Sequence, residues 1–282
     1  MIDVRHGDNL QILREMPSGQ FDLIYIDPPF NTGRTQSRTT LRTVRDAGGD
    51  RTGFQGARYR TERGAKRHYA DHQDDYPAFL VPRLEEARRV LAAHGSLFVH
   101  LDCHEVHYIK VALDGIFGRD CFQNEIIWAY DYGARSTSRW PAKHDTILWY
   151  SRDPTHYTFD LAAADRIPYM APALVGPAKA ARGKTPTDTW WHTIVSPTGK
   201  EKTGYPTQKP VGLLERIVKV HSAPGMQLCD FFAGSGSFGE AADRHDRHVT
   251  LIDDNPQAIE VMRQRFAGRD AHFPPTLARQ AR

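Results

Sequence analysis

The chain contains little cysteine and no long apolar run. Its three cysteines, Cys103, Cys121 and Cys229, show no Cys-x-x-Cys spacing, which argues against a disulfide framework or a zinc site. The pattern His104-Glu105-Val106-His107 has no third metal ligand in view, so we interpret its histidines as surface residues. No apolar stretch approaches the roughly 20 residues of a membrane helix, and the N-terminus lacks a signal-peptide core. We expect a cytoplasmic protein with reduced thiols and no metal.

Positive charge is concentrated in one stretch. The net charge is only +3, but residues 31–70 hold ten Lys and Arg against three Asp and Glu. Aliphatic residues are scarce there, and Gly, Thr and Arg dominate. The composition predicts an Arg-rich loop insertion over residues 31–72, in which Arg58, Arg60 and Arg63 are candidates for contacts with the phosphates of a nucleic acid. The alternative is a solvated loop without a ligand.

Elsewhere, strand and helix patterns alternate. Buried strands are predicted at 21–26, 96–101, 125–130, 146–150, 227–232 and 248–252, and helices at 76–93, 105–117, 210–220, 237–245 and 256–266. Such alternation is typical of an α/β protein with a doubly wound, mainly parallel sheet that helices cover on both faces.

A stiff acidic motif directly follows the first of these strands. Asp27-Pro28-Pro29-Phe30 places a carboxylate, two prolines and an aromatic ring in succession. Each proline fixes its own φ and keeps the preceding residue out of helical space, so the chain leaves the strand extended with its carbonyls free. A rigid, acceptor-rich segment beside a ring suits a planar amino group, such as the exocyclic amine of a nucleobase. The alternative is an ordinary loop after a strand.

A second motif lies where a later strand turns into a helix. The run 230–239, Asp-Phe-Phe-Ala-Gly-Ser-Gly-Ser-Phe-Gly, is rich in small residues that let a ligand approach the backbone closely. The next strand ends in an acid, Asp253, where a doubly wound fold holds the ribose of an adenosine-containing cofactor; Asp254 is the alternative. No Gly-Lys-Ser/Thr follows the glycines, which excludes a P-loop, whereas a GxGxxG reading keeps a nicotinamide oxidoreductase as a rival.

Together these motifs resemble those of the amino-group DNA methyltransferases. Asp27-Pro-Pro-Phe30 resembles their catalytic motif and Asp230-Phe-Phe-Ala-Gly-Ser-Gly236 their S-adenosylmethionine motif. The catalytic motif comes first, which is the permuted order of the beta class. Gly7-Asp8 resembles the early cofactor-adenine motif, and Tyr205-Pro-Thr-Gln-Lys-Pro210 the segment that closes over the methionine end of the cofactor. The resemblance covers about residues 6–150 and 204–267.

The resemblance implies a role for each motif. Asp27 and the Pro28 carbonyl accept the two amine hydrogens of a flipped-out adenine, and Phe30 stacks on its ring, with Pro29 completing the motif. The cofactor is S-adenosylmethionine, with Asp253 at the ribose, Asp230 at the ammonium and no metal. The implied cofactor-binding residues are Asp8, Thr207, Lys209, Asp230, Phe231, Phe232, Ala233, Gly234, Ser235, Gly236, Ile252 and Asp253. For Asp8, a plain helix N-cap is the alternative.

The expected organisation is a single methyltransferase domain in two halves. Residues 1–150 form the catalytic half with its insertion, 204–267 the cofactor-binding half, 151–203 a small target-recognition segment and 268–282 a tail. Double-stranded DNA is the expected partner, and Arg135, Arg139, Lys143 and Lys184 are further candidates for contacting it. A homodimer and a cognate restriction enzyme are considered by analogy.

Other functions remain open at the level of sequence. Within the same chemistry the rivals are cytosine-N4 methylation, which an Asp rather than a Ser before Pro-Pro disfavours, and RNA methylation. A DNA-binding module without catalysis is a further alternative, and it predicts that Asp27→Ala leaves the biological activity intact.

Overall fold

The computed structural model describes residues 1–30, 34–45, 48, 51–52, 58–71, 75–131, 135–196 and 199–274. Residue contacts divide the chain into two units, of which the first comprises Met1–Phe30 and Asp75–Arg282 and the second Asn31–Asp74. Each unit has its own sheet. The described strands, in chain order, are β1 (Ile2–His6), β2 (Phe21–Ile26), β3 (Arg34–Arg45), β4 (Arg51–Thr52), β5 (Arg58–Asp71), β6 (Leu91–Leu101), β7 (Phe122–Ala129), β8 (His144–Ser151), β9 (Thr189–Trp191), β10 (Gln227–Asp230), β11 (His248–Asp253) and β12 (Ala271–His272).

The sheet of the first unit is mainly parallel. Its described strands follow the order β12-β1-β11-β10-β2-β6-β8-β7-β9. Only β8 runs antiparallel to its neighbours among these strands, and the remaining pairings are parallel. Strands β10 and β11 come late in the chain but lie between β1 and β2, so the cofactor-type motif lies beside the Asp-Pro-Pro-Phe motif. The order confirms the predicted doubly wound, mainly parallel sheet.

Helices cover both faces of this sheet. On one face the core contains apolar residues of the first three helices, and on the other those of the last three. Successive residues of β2 alternate accordingly: Leu23 and Tyr25 enter one core, and Ile24 and Ile26 the other. The helices are α1 (Asn9–Glu15), α2 (Tyr76–Val90), α3 (Val106–Phe117), α4 (Pro177–Arg182), α5 (Val211–His221), α6 (Ser237–Asp243) and α7 (Pro256–Arg265).

Polar caps set where several helices begin. The carboxylate of Asp8 accepts a hydrogen bond from the Gln11 amide at the start of α1, and Asp75 does the same for the Ala78 amide of α2. Asn255 caps α7, whose first residue is Pro256. These caps satisfy amides that have no partner within the helix. No helix among the described residues is long and apolar enough to cross a membrane.

The second unit corrects the expected Arg-rich loop. Strands β3 and β5 pair antiparallel over most of their length, and β4 adds a short third strand. Because apolar alternation was the signal for strands, a stretch nearly free of aliphatic residues was interpreted as a loop. Its Thr, Tyr and Val content nonetheless favours extended backbone.

Three strands of the first unit were also missed, of which β1 pairs in parallel with β11 and β12. Within the expected recognition segment 151–203, β9 pairs in parallel with β7 and so extends the main sheet. Within the expected tail 268–282, β12 pairs with β1, while residues 275–282 lie outside the described part of the chain. Strands of two or three residues are too short to show a period, so the sequence offers no pattern for them.

Candidate active site

Four acidic residues lie at the carboxyl edge of the sheet. Strands β1, β11, β10 and β2 are parallel neighbours, so their carboxyl ends share one edge. Asp253 and Asp230 end β11 and β10, Asp27 directly follows β2, and Asp8 lies two residues beyond β1. Open α/β sheets bind their ligands at this edge. The fold thus brings together acids that are far apart in sequence.

Lys209 contacts the acid of the Asp-Pro-Pro-Phe motif. Its Nζ donates a hydrogen bond to Asp27 Oδ2 at 2.5 Å and lies 4.5 Å from the centroid of the Phe30 ring. Only 8% of the Lys209 side chain and 17% of the Asp27 side chain are exposed. The other carboxylate oxygen, Asp27 Oδ1, is buried and has no hydrogen-bond partner among the described residues. One oxygen of Asp27 is therefore held by a cation, and the other remains an acceptor.

The rest of the motif forms a rigid wall beside that acceptor. Pro28 is buried, and Pro29 and Phe30 are partly exposed. The Phe30 ring packs against the fully buried ring of His100, with centroids 5.9 Å apart. The aromatic face predicted from the sequence is thus supported from β6.

The glycine turn after β10 lies against the end of β11. The Gly234 amide donates to Asp253 Oδ2 at 2.7 Å, and the Phe232 amide donates to Asp230 Oδ1 at 2.9 Å. Gly234 has a φ of +50°, a region that side chains disfavour, and a Cβ there would lie 3.2 Å from the ring of Tyr205. A larger residue at Gly234 would therefore meet both strain and a ring. The turn keeps its backbone close to Asp253.

Two carboxyls of this edge bind protons more tightly than usual. Burial raises the pKa of Asp230 well above its ordinary value, and the nearby charges of Asp27 and Asp253 raise it further. Burial also raises the pKa of Asp253 to about 6, against the opposing effect of amide hydrogen bonds from Asn255 and Gly234. The edge is thus short of positive charge. A ligand that carries cationic and hydroxyl groups would complement it.

Asp8 is engaged in contacts within the fold. Besides capping α1, its carboxylate forms an ion pair with Arg83, whose Nη2 lies 3.0 Å from Asp8 Oδ2. Arg83 also donates to Asn9 Oδ1, and Asn9 Nδ2 donates to the Phe231 carbonyl at 2.6 Å. This chain of contacts links α2 to the glycine turn. The observed geometry of Asp8 is that of a helix N-cap, and its contact with the cofactor remains a prediction.

The segment before α5 forms a tight turn. Thr207 has a positive φ of 57°, which is uncommon for a residue with a branched side chain. Gln208 stabilises the turn, because its Oε1 accepts from Thr203 and its Nε2 donates to the Glu201 carbonyl. Lys209 follows and points to Asp27, whereas the sequence predicted it as a cofactor ligand. Tyr205, within the same motif, accepts a hydrogen bond from Asn255.

Sequence reasoning missed four residues of this edge: Asn9, Arg83, His100 and Asn255. Arg83 had no local signal, because it looks like one charged position among several on the amphipathic helix α2. Asn9 and Asn255 are adjacent to motif residues and could have been found as neighbours of Asp8 and Asp253. The remaining predicted cofactor residues, Phe231, Phe232, Ala233, Ser235, Gly236 and Ile252, lie in the glycine turn or at the end of β11.

The predicted DNA contacts are dispersed. Arg58 and Arg60 are exposed in β5 of the second unit, and the side chain of Arg63 lies outside the described part of the structure. In the first unit, Arg135 and Arg139 are exposed between β7 and β8. The structure places two other candidates differently. Lys143 Nζ donates to the Asp131 carbonyl at 3.0 Å, and partly buried Lys184 pairs with Ile167 through backbone hydrogen bonds.

A cavity of about 460 Å³ lies away from the acidic residues at the carboxyl edge of the sheet. It is lined by the amino-terminal part of β7, the carboxyl-terminal half of α5 and residues 185–190, and its apolar wall includes Trp149 and Trp190. Lys209 instead precedes α5 at the opposite end of that helix. This cavity is therefore separate from the acidic edge.

Comparison with known proteins assigns the chain to a family. The model of the DNA methylases that act on N6 or N4 amines matches residues 21–264. The chain belongs to this DNA methylase family. Membership confirms the predicted DNA amino-methyltransferase.

Named relatives and solved structures agree with this assignment. The methylase is 28% identical over 257 residues to the type II methyltransferase M.HpaI of Haemophilus parainfluenzae, covering 91% of this chain and 71% of the relative. It is 26% identical over 264 residues to the DNA adenine methyltransferase YhdJ of Escherichia coli K12, covering 91% and 79%.

Two solved structures share its fold. The M1.HpyAVI complex with S-adenosylmethionine superposes with a TM-score of 0.61 at 18% identity, covering 95% of this chain and all of that one. The cytosine-N4-specific PvuII methyltransferase superposes with a TM-score of 0.63 at 14% identity, covering 98% and 87%. Both likenesses confirm the Rossmann-like fold predicted for the methylase.

Proposed function

We propose that this methylase transfers a methyl group from S-adenosylmethionine to the N6 amine of an adenine flipped out of double-stranded DNA. One observation carries the proposal. At the carboxyl end of β2, beside the glycine turn, Asp27 has one oxygen bound to Lys209 and the other buried without a partner among the described residues. A buried acceptor without a donor costs free energy in the resting protein, and a substrate amine supplies the missing donor.

The proposed chemistry begins with the amine of adenine, which is a poor nucleophile because its lone pair is delocalised into the ring. Asp27 Oδ1 accepts one N6 hydrogen and the Pro28 carbonyl accepts the other, which localises the lone pair on nitrogen. Phe30 stacks on the base and holds its plane. The acceptors are fixed before reaction by the prolines and by Lys209, so the acceleration comes from orientation and preorganised electrostatics.

The acidic edge fits the cofactor. S-Adenosylmethionine, when bound, supplies an activated methyl group on a cationic sulfonium. Asp253 is assigned to the ribose hydroxyls, Asp230 to the ammonium and Asp8 to the adenine amine, while the backbone of Phe231–Gly236 lines the site. The raised pKa values of Asp230 and Asp253 support this assignment, because a positively charged ligand lowers the cost of ionising both groups.

Adenine-N6 is favoured over cytosine-N4 as the target. The acid before Pro-Pro is Asp27, which supports adenine by resemblance, and a DNA adenine methyltransferase is among the relatives. Cytosine-N4 remains the rival target, because the family includes both chemistries.

The proposed partner is double-stranded DNA, and the proposed location is the cytoplasm. Exposed Arg135 and Arg139 lie next to β7, whose carboxyl end shares the active-site edge, and are proposed to contact DNA together with the second unit. Residues 151–203 are proposed to recognise the target sequence. A homodimer and a cognate restriction enzyme are further proposed partners by analogy with the class.

The test is the identity of the modified base. DNA free of methylation is incubated with the methylase and S-adenosylmethionine, digested to nucleosides and analysed by mass spectrometry. N6-methyladenine supports the proposal, whereas N4-methylcytosine would show that the target amine is the N4 amine of cytosine. Sequencing of modified bases in DNA from cells that express the protein then identifies the recognition sequence.

A further inference from the structure

A buried polar network lies directly behind the Asp-Pro-Pro-Phe motif. Its four members, Tyr25, His100, Tyr130 and Asp145, come from β2, β6, the end of β7 and β8. We refer to them as the His100 network. His100 Nδ1 lies 2.8 Å from the Tyr25 hydroxyl, and its Nε2 lies 3.3 Å from Asp145 Oδ2. The Tyr130 hydroxyl donates to Asp145 Oδ1 at 3.1 Å.

The chemistry of the partners defines the state of the His100 ring. An ionised carboxylate can only accept, so Nε2 carries a proton and donates it to Asp145. Nδ1 then accepts from the Tyr25 hydroxyl, which burial keeps protonated by raising the pKa of Tyr25 well above its ordinary value. Burial raises the pKa of Asp145, but its hydrogen bonds from His100 and Tyr130 and the charge of Lys209 lower it more. Both ring nitrogens are therefore engaged, and the ring cannot turn without losing both bonds.

Such a network is costly to bury. His100 is fully buried and only 11% of the Asp145 side chain is exposed. An apolar set of similar volume would pack here without the cost of removing a carboxylate from water. Satisfied buried polar groups specify one arrangement of the surrounding side chains more sharply than apolar packing does. The network thus holds the His100 ring in one orientation at the expense of stability.

The orientation matters because of what the ring touches. His100 packs against Phe30 at a centroid distance of 5.9 Å and an interplanar angle of 40°. On its other sides it meets Trp128, edge-on at 5.4 Å, and Tyr25, which itself stacks on Phe238. Tyr25 also lies on β2, two residues before Asp27. The network therefore supports the aromatic end of the motif through the contact between His100 and Phe30.

We propose that His100 is a positioning residue for methyl transfer: held by Tyr25 and Asp145, its ring fixes Phe30 and with it the slot in which the target base lies. Its role is indirect, because its side chain is fully buried. This inference rests on the proposed methyl transfer. A misplacement of the base by a fraction of an ångström lowers the rate of the chemical step far more than it lowers cofactor binding.

The experiment uses two isosteric variants, Tyr25→Phe and Asp145→Asn, and their combination. Each single change is expected to lower kcat by roughly 10- to 100-fold and to leave KM for S-adenosylmethionine within about twofold. The double variant is expected to be about as slow as the slower single variant, because both act through the orientation of one ring. The measurement is transfer of labelled methyl groups to duplex DNA, well below the melting temperature of each variant.

Ser96→Ala is the matched control. Ser96 lies on the same strand and face as His100, and its hydroxyl accepts a buried hydrogen bond from Trp149 Nε1 at 3.0 Å. This variant also loses a buried bond in β6, and we expect a similar fall in Tm with an unchanged kcat.

The outcomes separate the two proposals. Wild-type kcat in Tyr25→Phe and Asp145→Asn, a loss confined to KM for the cofactor, or an equal loss in Ser96→Ala would each overturn the positioning role while leaving the methyl transfer intact. Absence of transfer by the wild-type protein would instead overturn the proposed function.

Discussion

Replacing Lys209 with methionine removes the charge that contacts Asp27 and keeps most of the side-chain volume. The pair is largely buried, with 8% of Lys209 and 17% of Asp27 exposed, so solvent screens it only weakly. Breaking a buried pair by removing one partner costs about 3–5 kcal/mol, and the residual exposure of Asp27 favours the lower end of that range. This cost falls on the ionised carboxylate, because it is left without its cation.

The consequence is a slower chemical step. Lys209 holds one oxygen of Asp27 and so fixes the position of the other, which is proposed to accept the amine hydrogen. Without this contact the acceptor is no longer fixed before reaction, and Lys209→Met is expected to lower the single-turnover rate by roughly 10- to 100-fold. KM for S-adenosylmethionine is expected to stay close to the wild-type value.

The assay is single-turnover methyl transfer at saturating S-adenosylmethionine. Lys209→Arg keeps the charge and should retain most of the wild-type rate. Lys110→Met is the matched control, because it breaks the more exposed Lys110–Asp114 pair on α3, which lies outside the site. An unchanged single-turnover rate in Lys209→Met would refute the reasoning. A rise in KM for S-adenosylmethionine at constant kcat would instead show that Lys209 binds the cofactor, as the sequence predicted.

Three further predictions concern cofactor binding, stability and DNA binding. The pKa of Asp253 is raised to about 6, and cofactor binding is proposed to need its ionised form, so the affinity should increase as the pH rises through 6. Calorimetric titration with S-adenosylhomocysteine measures this dependence, and Asp253→Asn should lose it. The same carboxyl should contribute most to the free energy of unfolding of the cofactor-free protein below pH 4, and this contribution should be lost as the pH rises through about 6. Thermal unfolding of the wild type and Asp253→Asn across this pH range measures it. Neutralising Arg58, Arg60 and Arg63 should lower the slope of log affinity against log salt by up to about 2.7, or about 0.9 per phosphate contact, as measured by fluorescence anisotropy. Arg119→Gln, exposed at the amino end of β7, is the control; an unchanged slope in the triple variant removes the second unit from the DNA interface.

Much of the edge could be predicted from local sequence patterns. A carboxylate after a buried strand, prolines that forbid a helix and small residues at a strand-to-helix turn act within a few positions of one another. Asp27 and Gly234 were recognisable for that reason. Parallel topology then followed from the alternation of strands and helices, and it placed both motifs at one edge.

The pairings across the sheet could not be predicted in this way. Lys209 and Asp27 are 182 positions apart, and His100 and Asp145 are 45 apart. Nothing in either local sequence specifies the partner, because the contact depends on β10 and β11 lying between β1 and β2 and on β8 running back along β6. The strands of the second unit were missed for a different reason: a period of two is detected only where apolar and polar residues alternate.

The most direct measurement of the central claim is the rate of methyl transfer by Asp27→Ala, with DNA and cofactor binding measured on the same preparation. If Asp27 Oδ1 accepts a hydrogen from the target amine, the single-turnover rate falls by about 10³-fold or more, while both dissociation constants stay close to the wild-type values. Transfer at the wild-type rate would contradict the account. Loss of cofactor binding together with activity would also contradict it, because the motif would then support the fold of the site rather than the reaction.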